Sequence, residues 1–435
     1  MAANRPPNVV LFVTDQLRTD ALGCMGNTIV STPNFDRLAR EGVGFGNAYV
    51  QHTVCTPSRC SMFTGLYPHT RGYRSLYYLL HPEEPNLLKT LKQAGYHVEM
   101  IGKNDLLTPD AYPNSVSHRP KLAWKNMPNP WPDDHRLHDT FYFGRRPDEF
   151  DPDHDRAIID AALEFLASKP PEPFCLLLAL IQPHPPYMVQ EPWYSRIDRS
   201  KVPMPIRPQF EGAARFRRVL HGVQGTKHMQ PAEIIDMVAT YWGMTMRLDD
   251  MLGELMGRLE TTGLEARTAV AALSDHGDYC GDYGLTEKWW IGFEDSLTRV
   301  PLILRAPGMP RRGVMRGPMV EMLDIYATVC DLAGVKPEHD HFSRSVVPLW
   351  QGRTSEHRDA VFAEGGHRPT ETHCLEDLFL PASNLYHHKT RVQREDPTLL
   401  GKSTMVRTQR WKYIRRMCDP DELYDLQADP QELNN

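Results

Sequence analysis

Residues 52–70 read HTVCTPSRCSMFTGLYPHT, in which Cys55, Pro57 and Arg59 form the spacing C-x-P-x-R. Pro57 suits the first turn of a helix, residues 58–63 can propagate it, and Gly65 can close it. A helix start explains the proline and the glycine. It does not explain a cysteine at the N-terminus with an arginine one turn later. A helix N-terminus favours negative charge, so it is a place for a reactive oxygen or sulfur group. Four apolar runs add further polar residues. "NVVLFVTD" leads into Asp15-Gln16, "MIGKND" carries Lys103, "FCLLLALIQPHPPY" carries His184, and "TAVAALSDHG" ends in Asp275-His276. Taken singly these are ordinary: an Asp after a strand is commonly a turn or cap, His184 sits in a proline-rich loop, and Lys288 in "GLTEKWW" reads as a solvated lysine. Their conjunction is different. Two carboxylates, an amide oxygen and an imidazole on adjacent strand ends make a cavity for a hard or borderline divalent ion. That ion, with Arg59, Lys103, His184 and Lys288, would surround an anion with positive charge. Such a site suits sulfuryl or phosphoryl transfer, in which charge stabilisation and positioning are most of the catalysis.

The elements that must carry these residues follow from apolar periodicity. Residues 8–15 form a continuous β-branched run, expected of a strand buried on both faces of a parallel sheet. "TPNFDRLAREG" (32–42) predicts a helix with Thr32 as cap and Pro33 in the first turn. Residues 85–105 read as helix, Gly95, strand, and "DRAIIDAALEFLASK" into "PFCLLLALIQPHPPY" repeats that order. Apolar residues at 234, 235, 238, 241, 242, 248, 251, 252, 255 and 259 predict one long amphipathic helix over 231–263. "VPLILRAP" follows as a strand and "VEMLDIYATVCDLAG" as a helix. The alternation predicts a doubly wound α/β domain over residues 1–350, whose ligands gather at the carboxyl ends of the strands. Residues 351–435, with "VRTQRWKYIRR" and "ELYDL", predict a small α+β subdomain of short antiparallel strands. The insertions 106–150 and 188–228 are rich in Pro, Arg and His and read as long loops, the usual place for substrate-selecting residues. Arg145-Arg146 there either meets a second anionic group of the substrate or forms a solvated pair.

Composition narrows the class. The chain has 435 residues, is 41% hydrophobic and 24% charged, and carries a net charge of −6, which argues against nucleic acid as a partner. No apolar run approaches the roughly 18 residues that cross a membrane. "MAANRPPNVVLFVTD" passes from a short polar leader into a strand, without the regions of a secretory signal. Unless a leader has been removed, this points to the cytoplasm. The eight cysteines contain no C-x-x-C, so most are expected to be buried thiols.

The chain strongly resembles the type I sulfatases of the alkaline phosphatase superfamily, including the related phosphonate monoester hydrolases. The resemblance runs over nearly the whole length, from "NVVLFVTDQ" through "TPNFDRLAREGVGFGNAYV", "CTPSRCSMFTGLYPH" and "SDHGDYCGDYGL" to "ELYDLQADPQE". It implies an alkaline phosphatase-like mixed sheet flanked by helices, and conversion of Cys55 to Cα-formylglycine. Pro57 and Arg59 would then mark Cys55 for a formylglycine-generating enzyme. By the same resemblance the metal ligands are Asp15, Gln16, Asp275, His276 and the modified Cys55. Arg59 holds the hydrated aldehyde near the metal, and Lys103, His184 and Lys288 match the sulfate-binding and leaving-group residues. The expected ion is calcium, with manganese as the alternative.

Three departures from the family pattern stand out. Gln16 occupies a position where many members have a second Asp, and His276 one where many have Asn. Both leave the site less anionic, as in the manganese-using phosphonate hydrolases. The family's G-K-W-H is here Gly102-Lys103-Asn104-Asp105, and an ionised Asp105 accepts a hydrogen bond from a substrate hydroxyl or amine rather than donating one to sulfate. In the implied mechanism one hydroxyl of the hydrated aldehyde attacks sulfur in line, and His184 or Lys288 protonates the departing oxygen. The second hydroxyl then expels sulfate, which a serine at position 55 cannot do. Three readings are open: a sulfatase for carbohydrate or small-molecule sulfate esters, a phosphonate monoester or phosphodiester hydrolase using the same site, and a catalytically silent binding scaffold.

Overall fold

In the computed structural model, which describes residues 5–371, 374 and 379–435, the run at 8–15 forms strand β1 (Asn8–Asp15) with every residue buried. Its side chains alternate between two cores: Val10 and Phe12 enter one, Val9, Leu11 and Val13 the other. A strand covered on both faces needs this uninterrupted apolar run. Each such side chain contributes about 1.5–3 kcal/mol on burial. Strands β5 (Phe174–Pro183) and β7 (Thr268–Ser274) divide in the same way, with Leu176, Leu178 and Val270 on one side and Leu177, Ala271 and Leu273 on the other.

The eight-stranded central sheet has the spatial order β10 (Val320–Glu321), β2 (Val43–Tyr49), β8 (Arg299–Arg305), β7, β1, β5, β3 (His97–Gly102), and β9 (Gly313–Met315) also pairs with β2. Strands β3, β5, β1 and β7 are parallel, so Lys103, His184, Asp15 and Asp275 all emerge at one edge. β8 is antiparallel to both β7 and β2. The chain returns from β7 through a loop without a long crossover helix, and a direct return reverses direction. This reversal makes the sheet mixed.

One face carries the helices Pro33–Glu41, His154–Ala167 and Pro231–Thr261, and the other carries Cys55–Thr64, Leu87–Gln93 and Asp324–Ala333. Two local expectations change. Thr32 does not cap its helix through its side chain; its hydroxyl accepts from Gly23 N–H and donates to Asp36. The stretch expected as one helix from Val320 begins as the short strand β10 and becomes helical only at Asp324, because Val320 and Glu321 pair with Ala48 and Tyr49. Strands β4 (Tyr142–Arg145) and β6 (Tyr187–Val189) pair with each other outside the main sheet.

Beyond Trp350 the chain builds a four-stranded antiparallel sheet of β11 (Val361–Gly365), β12 (Ser403–Arg407), β13 (Trp411–Arg416) and β14 (Glu422–Asp425). Its inner residues Ala363, Met405, Ile414 and Tyr424 pack on Trp289, Trp290 and Leu297, so this sheet braces the loop between β7 and β8. All eight cysteines are free thiols, six of them buried. Among the described residues no helix is long and apolar enough to cross a membrane.

Lys103 owes its position to Gly102. That residue has φ +110°, and a Cβ there would lie 2.3 Å from the Ala179 carbonyl oxygen on the neighbouring strand. Gly102→Ala is expected to cost at least about 2 kcal/mol, from left-handed strain plus the backbone clash. Urea denaturation reads this as a lower midpoint. An unchanged midpoint would mean that β3 and β5 separate without cost.

Candidate active site

Cys55 is the first residue of a ten-residue helix whose every residue is buried, and Gly65 closes that helix with φ 70°. The Cys55 Sγ lies 3.4 Å from His276 Nε2, 3.6 Å from Lys103 Nζ and 3.7 Å from Asp15 Oδ1. Burial, and next Asp15, push the thiol well above its usual range.

Two buried carboxylates face this position. Arg59 donates from Nε to Asp275 at 2.7 Å and from NH2 to Asp15 at 3.2 Å, and Lys103 reaches the same Asp15 oxygen at 2.6 Å. Burial alone would raise Asp15, but the cationic Lys103 and Arg59 outweigh it and hold the carboxyl well below its usual range. His276 sits 2.9 Å from the Gly277 carbonyl through Nδ1, which places its proton there and turns the Nε2 lone pair inward. That nitrogen is 3.6 Å from Asp15 Oδ1 and 3.8 Å from Asp275 Oδ1. Burial keeps the ring neutral. One ligand atom from each of Asp15, Cys55, Asp275 and His276 lies within 4.8 Å of all the others. Carboxylate oxygens and an imidazole lone pair gathered this closely are the hard and borderline donors that a divalent ion binds. The donor set therefore fits one divalent ion.

Gln16 holds a strained left-handed backbone, φ 73°, of a kind that costs on the order of 1–3 kcal/mol outside glycine. Its N–H donates to Asp275 Oδ1 at 3.1 Å and its carbonyl accepts from Tyr241, on the long helix, at 2.8 Å. Its side-chain oxygen accepts from Lys288 at 2.9 Å. The Lys288 ammonium donates to Gln16 and to His184 Nε2 at 2.9 Å, and is ion-paired with Glu287 Oε1 at 2.5 Å. His184 donates from Nδ1 to the Pro185 carbonyl, so any proton it delivers leaves from Nε2, the nitrogen that Lys288 faces. Burial, with Lys288 beside it, pushes His184 down to about 3. His184 and Lys288 thus form one proton-holding unit, with the charge on the lysine.

These groups open into a cavity of about 330 Å³. Cys55, Lys103, Asp105, His184 and Lys288 all line it. Asp105 pairs with Lys103 at 2.7 Å; against burial, Lys103 and Arg59 hold it below its usual range, so it is ionised. Asn104 turns away, bonding Leu107 in a local turn. Arg145 does not reach the cavity. It lies exposed at the end of β4 with its Nε 3.6 Å from Glu191, while Arg146 beside it is buried against Asp151 and Asp153. Alternation along an edge strand sends the two side chains to opposite sides.

The segments 106–150 and 188–228, expected to select substrate, contribute nothing to this cavity; residues 112–124 line a separate groove that shares Lys103. The outer wall comes instead from the C-terminal part, through Leu380, Asn384, Tyr386, Lys389 and Gln393. Tyr386 places its hydroxyl 3.4 Å from His184 Nε2, and Lys389 pairs with Glu287. Sequence reasoning missed these residues. Glu287, beside Lys288 in "TEKWW", carried a faint signal; "NLYHHKT" carried none, because no local pattern says that a distant helix closes the pocket.

Comparison with known proteins agrees with this geometry. The family model described as Sulfatase matches residues 7–335. The chain belongs to the sulfatase family, a class of sulfuric ester hydrolases. It is 28% identical to Arylsulfatase K of Danio rerio, over 99% of this chain and 80% of that protein. It is also 28% identical to the multifunctional alkaline phosphatase superfamily protein PehA of Trinickia caryophylli, over 98% of this chain and 90% of the other. The solved phosphonate monoester hydrolase from Silicibacter pomeroyi has the same fold, with a TM-score of 0.77 at 23% identity, covering 99% and 90% of the two chains.

Proposed function

We propose that this protein hydrolyses sulfate monoesters of a small molecule or glycan, with Cys55 converted to Cα-formylglycine by a formylglycine-generating enzyme. One divalent ion, calcium first and manganese second, would be held by Asp15, Gln16, Asp275, His276 and the modified residue 55. The observation that carries the reading is Cys55 itself. It sits in C-x-P-x-R, at a buried helix start, with its Sγ beside His276, Lys103 and Asp15. The hydrated aldehyde and the ion would supply an acidified oxygen nucleophile and charge neutralisation.

This chain's own residues account for the rest. Lys103 and Lys288 are fixed by Asp15 and Glu287 and line the cavity together with Cys55, where they can hold sulfate oxygens. Arg59 keeps Asp15 and Asp275 aligned. The ionised Asp105 accepts from a hydroxyl or amine of the leaving group, whose body meets Leu76, Tyr77 and Trp290. His184 and Lys288 supply the proton to the departing oxygen. His184→Ala is therefore expected to slow alkyl or sugar sulfates by roughly 10², the usual scale of general acid catalysis. A nitrophenyl sulfate, which leaves with little protonation, should be affected less. Equal losses on both esters would make His184 a binding residue.

A second reading, phosphonate monoester hydrolysis at the same site, is favoured by Gln16 and His276, which lower the negative charge of the donor set. Parallel kcat/KM measurements on a nitrophenyl sulfate and a phosphonate monoester separate the two. A higher value for the sulfate ester is expected; a preference for the phosphonate reverses the assignment.

A further inference from the structure

Gln16 is an amide where a metal site needs an oxygen, and an amide presents oxygen or nitrogen depending on a half-turn of its last bond. Two neighbours decide which. Lys288, a donor only, lies 2.9 Å from Oε1, so the atom on the side of Lys288 is oxygen. On the other side Nε2 donates to Asp278 Oδ2 at 2.6 Å. Asp278 is fully buried and its other oxygen is already committed, accepting from the Tyr187 hydroxyl at 2.7 Å and the Cys280 N–H at 2.6 Å. Tyr187 in turn accepts from the Glu287 N–H at 2.8 Å, and Glu287 pairs with Lys288. The bonds close a ring: Asp278, Gln16, Lys288, Glu287, Tyr187 and back to Asp278.

We propose that Asp278 is the positioning residue that locks the Gln16 amide with its oxygen toward the metal position and its nitrogen away from it. The inference rests on the metal reading above. Asp278 touches neither the ion position nor the substrate cavity; it acts through the amide alone. Its carboxylate suits an amide at position 16 and opposes a carboxylate there, because an aspartate in place of the fully buried Gln16 would put a second negative charge beside the buried Asp278.

Purified protein, stripped of metal and titrated with manganese(II), tests this by the free-ion electron paramagnetic resonance signal and by the metal-induced shift in melting temperature. Asp278→Asn turns an NH2 toward Gln16 and frees the amide to flip, so manganese affinity is expected to fall about 10–100-fold. Gln16→Asp supplies a better ligand in isolation, yet at neutral pH it is expected to bind manganese more weakly than the wild type, because Asp278 faces it. In Gln16→Asp/Asp278→Asn the clash is gone, and affinity is expected to recover to the wild-type level or above. A purely structural role for Asp278 predicts the reverse: the second substitution would harm the Gln16→Asp protein as much as the wild type. Equal loss in both backgrounds, unchanged affinity in Asp278→Asn, or tighter binding by Gln16→Asp alone each overturns the proposal. That last arm needs no substitution at Asp278, so it holds even if Asp278→Asn does not fold. Wild-type protein that binds no manganese removes the metal reading, and the proposal with it; wild-type protein that binds while the variants fail to separate removes only the role of Asp278.

Discussion

Cys55→Ala is expected to be a folded protein with sulfate ester turnover reduced by at least about 10⁴-fold, the scale on which removing a covalent nucleophile acts. The fold should survive because only one sulfur is lost, while the helix keeps Gly65 as its stop and Met62 and Phe63 in the core. Its melting temperature should therefore stay close to that of the wild type. Cys55→Ser makes the sharper version of the same test. A serine oxygen can take the sulfuryl group once as the ester oxygen leaves, but it has no second hydroxyl with which to expel sulfate. The variant should release one equivalent of alcohol, stop, and gain the mass of one SO3 on residue 55. The wild-type peptide should show Cys55 with its sulfur replaced by an aldehyde oxygen. Undiminished turnover in Cys55→Ala would sink the assignment of the nucleophile.

Metal removal is the second large effect. Dialysis against a chelator is expected to abolish turnover and to lower the melting temperature by a few degrees. The stability loss is the linkage free energy of the ion, about 2.7 kcal/mol when the free metal had been at a hundred times its dissociation constant. Unfolding should not follow, because Arg59 and Lys103 still neutralise Asp15 and Asp275 in the stripped protein. Adding back calcium or manganese separately identifies the ion that restores activity. A fully active preparation shown to be metal-free by elemental analysis would overturn the donor set as a metal site.

Most of what lies along the chain in one piece was legible. Asn8–Asp15 forms a strand with the bounds its apolar run predicted, the helix opened at Cys55 stops at Gly65, and the long amphipathic segment folds as Pro231–Thr261. These features depend on burial pattern and on backbone chemistry within a few residues. C-x-P-x-R was equally local. So were the polar residues after β1, β3, β5 and β7, since parallel strands must deliver their ends to a common edge.

What the chain could not show is which distant loops meet at that edge. "VPLILRAP" identifies a strand, but its reversal against β7 is set by the length and path of residues 275–298. Arg145 looked available for substrate in an arginine-rich insertion, yet its place on β4 turns it toward Glu191. Lys389 and Tyr386 lie a hundred residues beyond Lys288 and meet it only because the C-terminal sheet packs on Trp289 and Trp290. Asp278 sat within the "SDHGDY" stretch, but its partner Gln16 is 262 positions away. Periodicity reports whether a side chain is buried; it carries no information about which buried polar atom it faces. Only the closed fold pairs each donor with its acceptor, and so decides which of the candidate residues form the site.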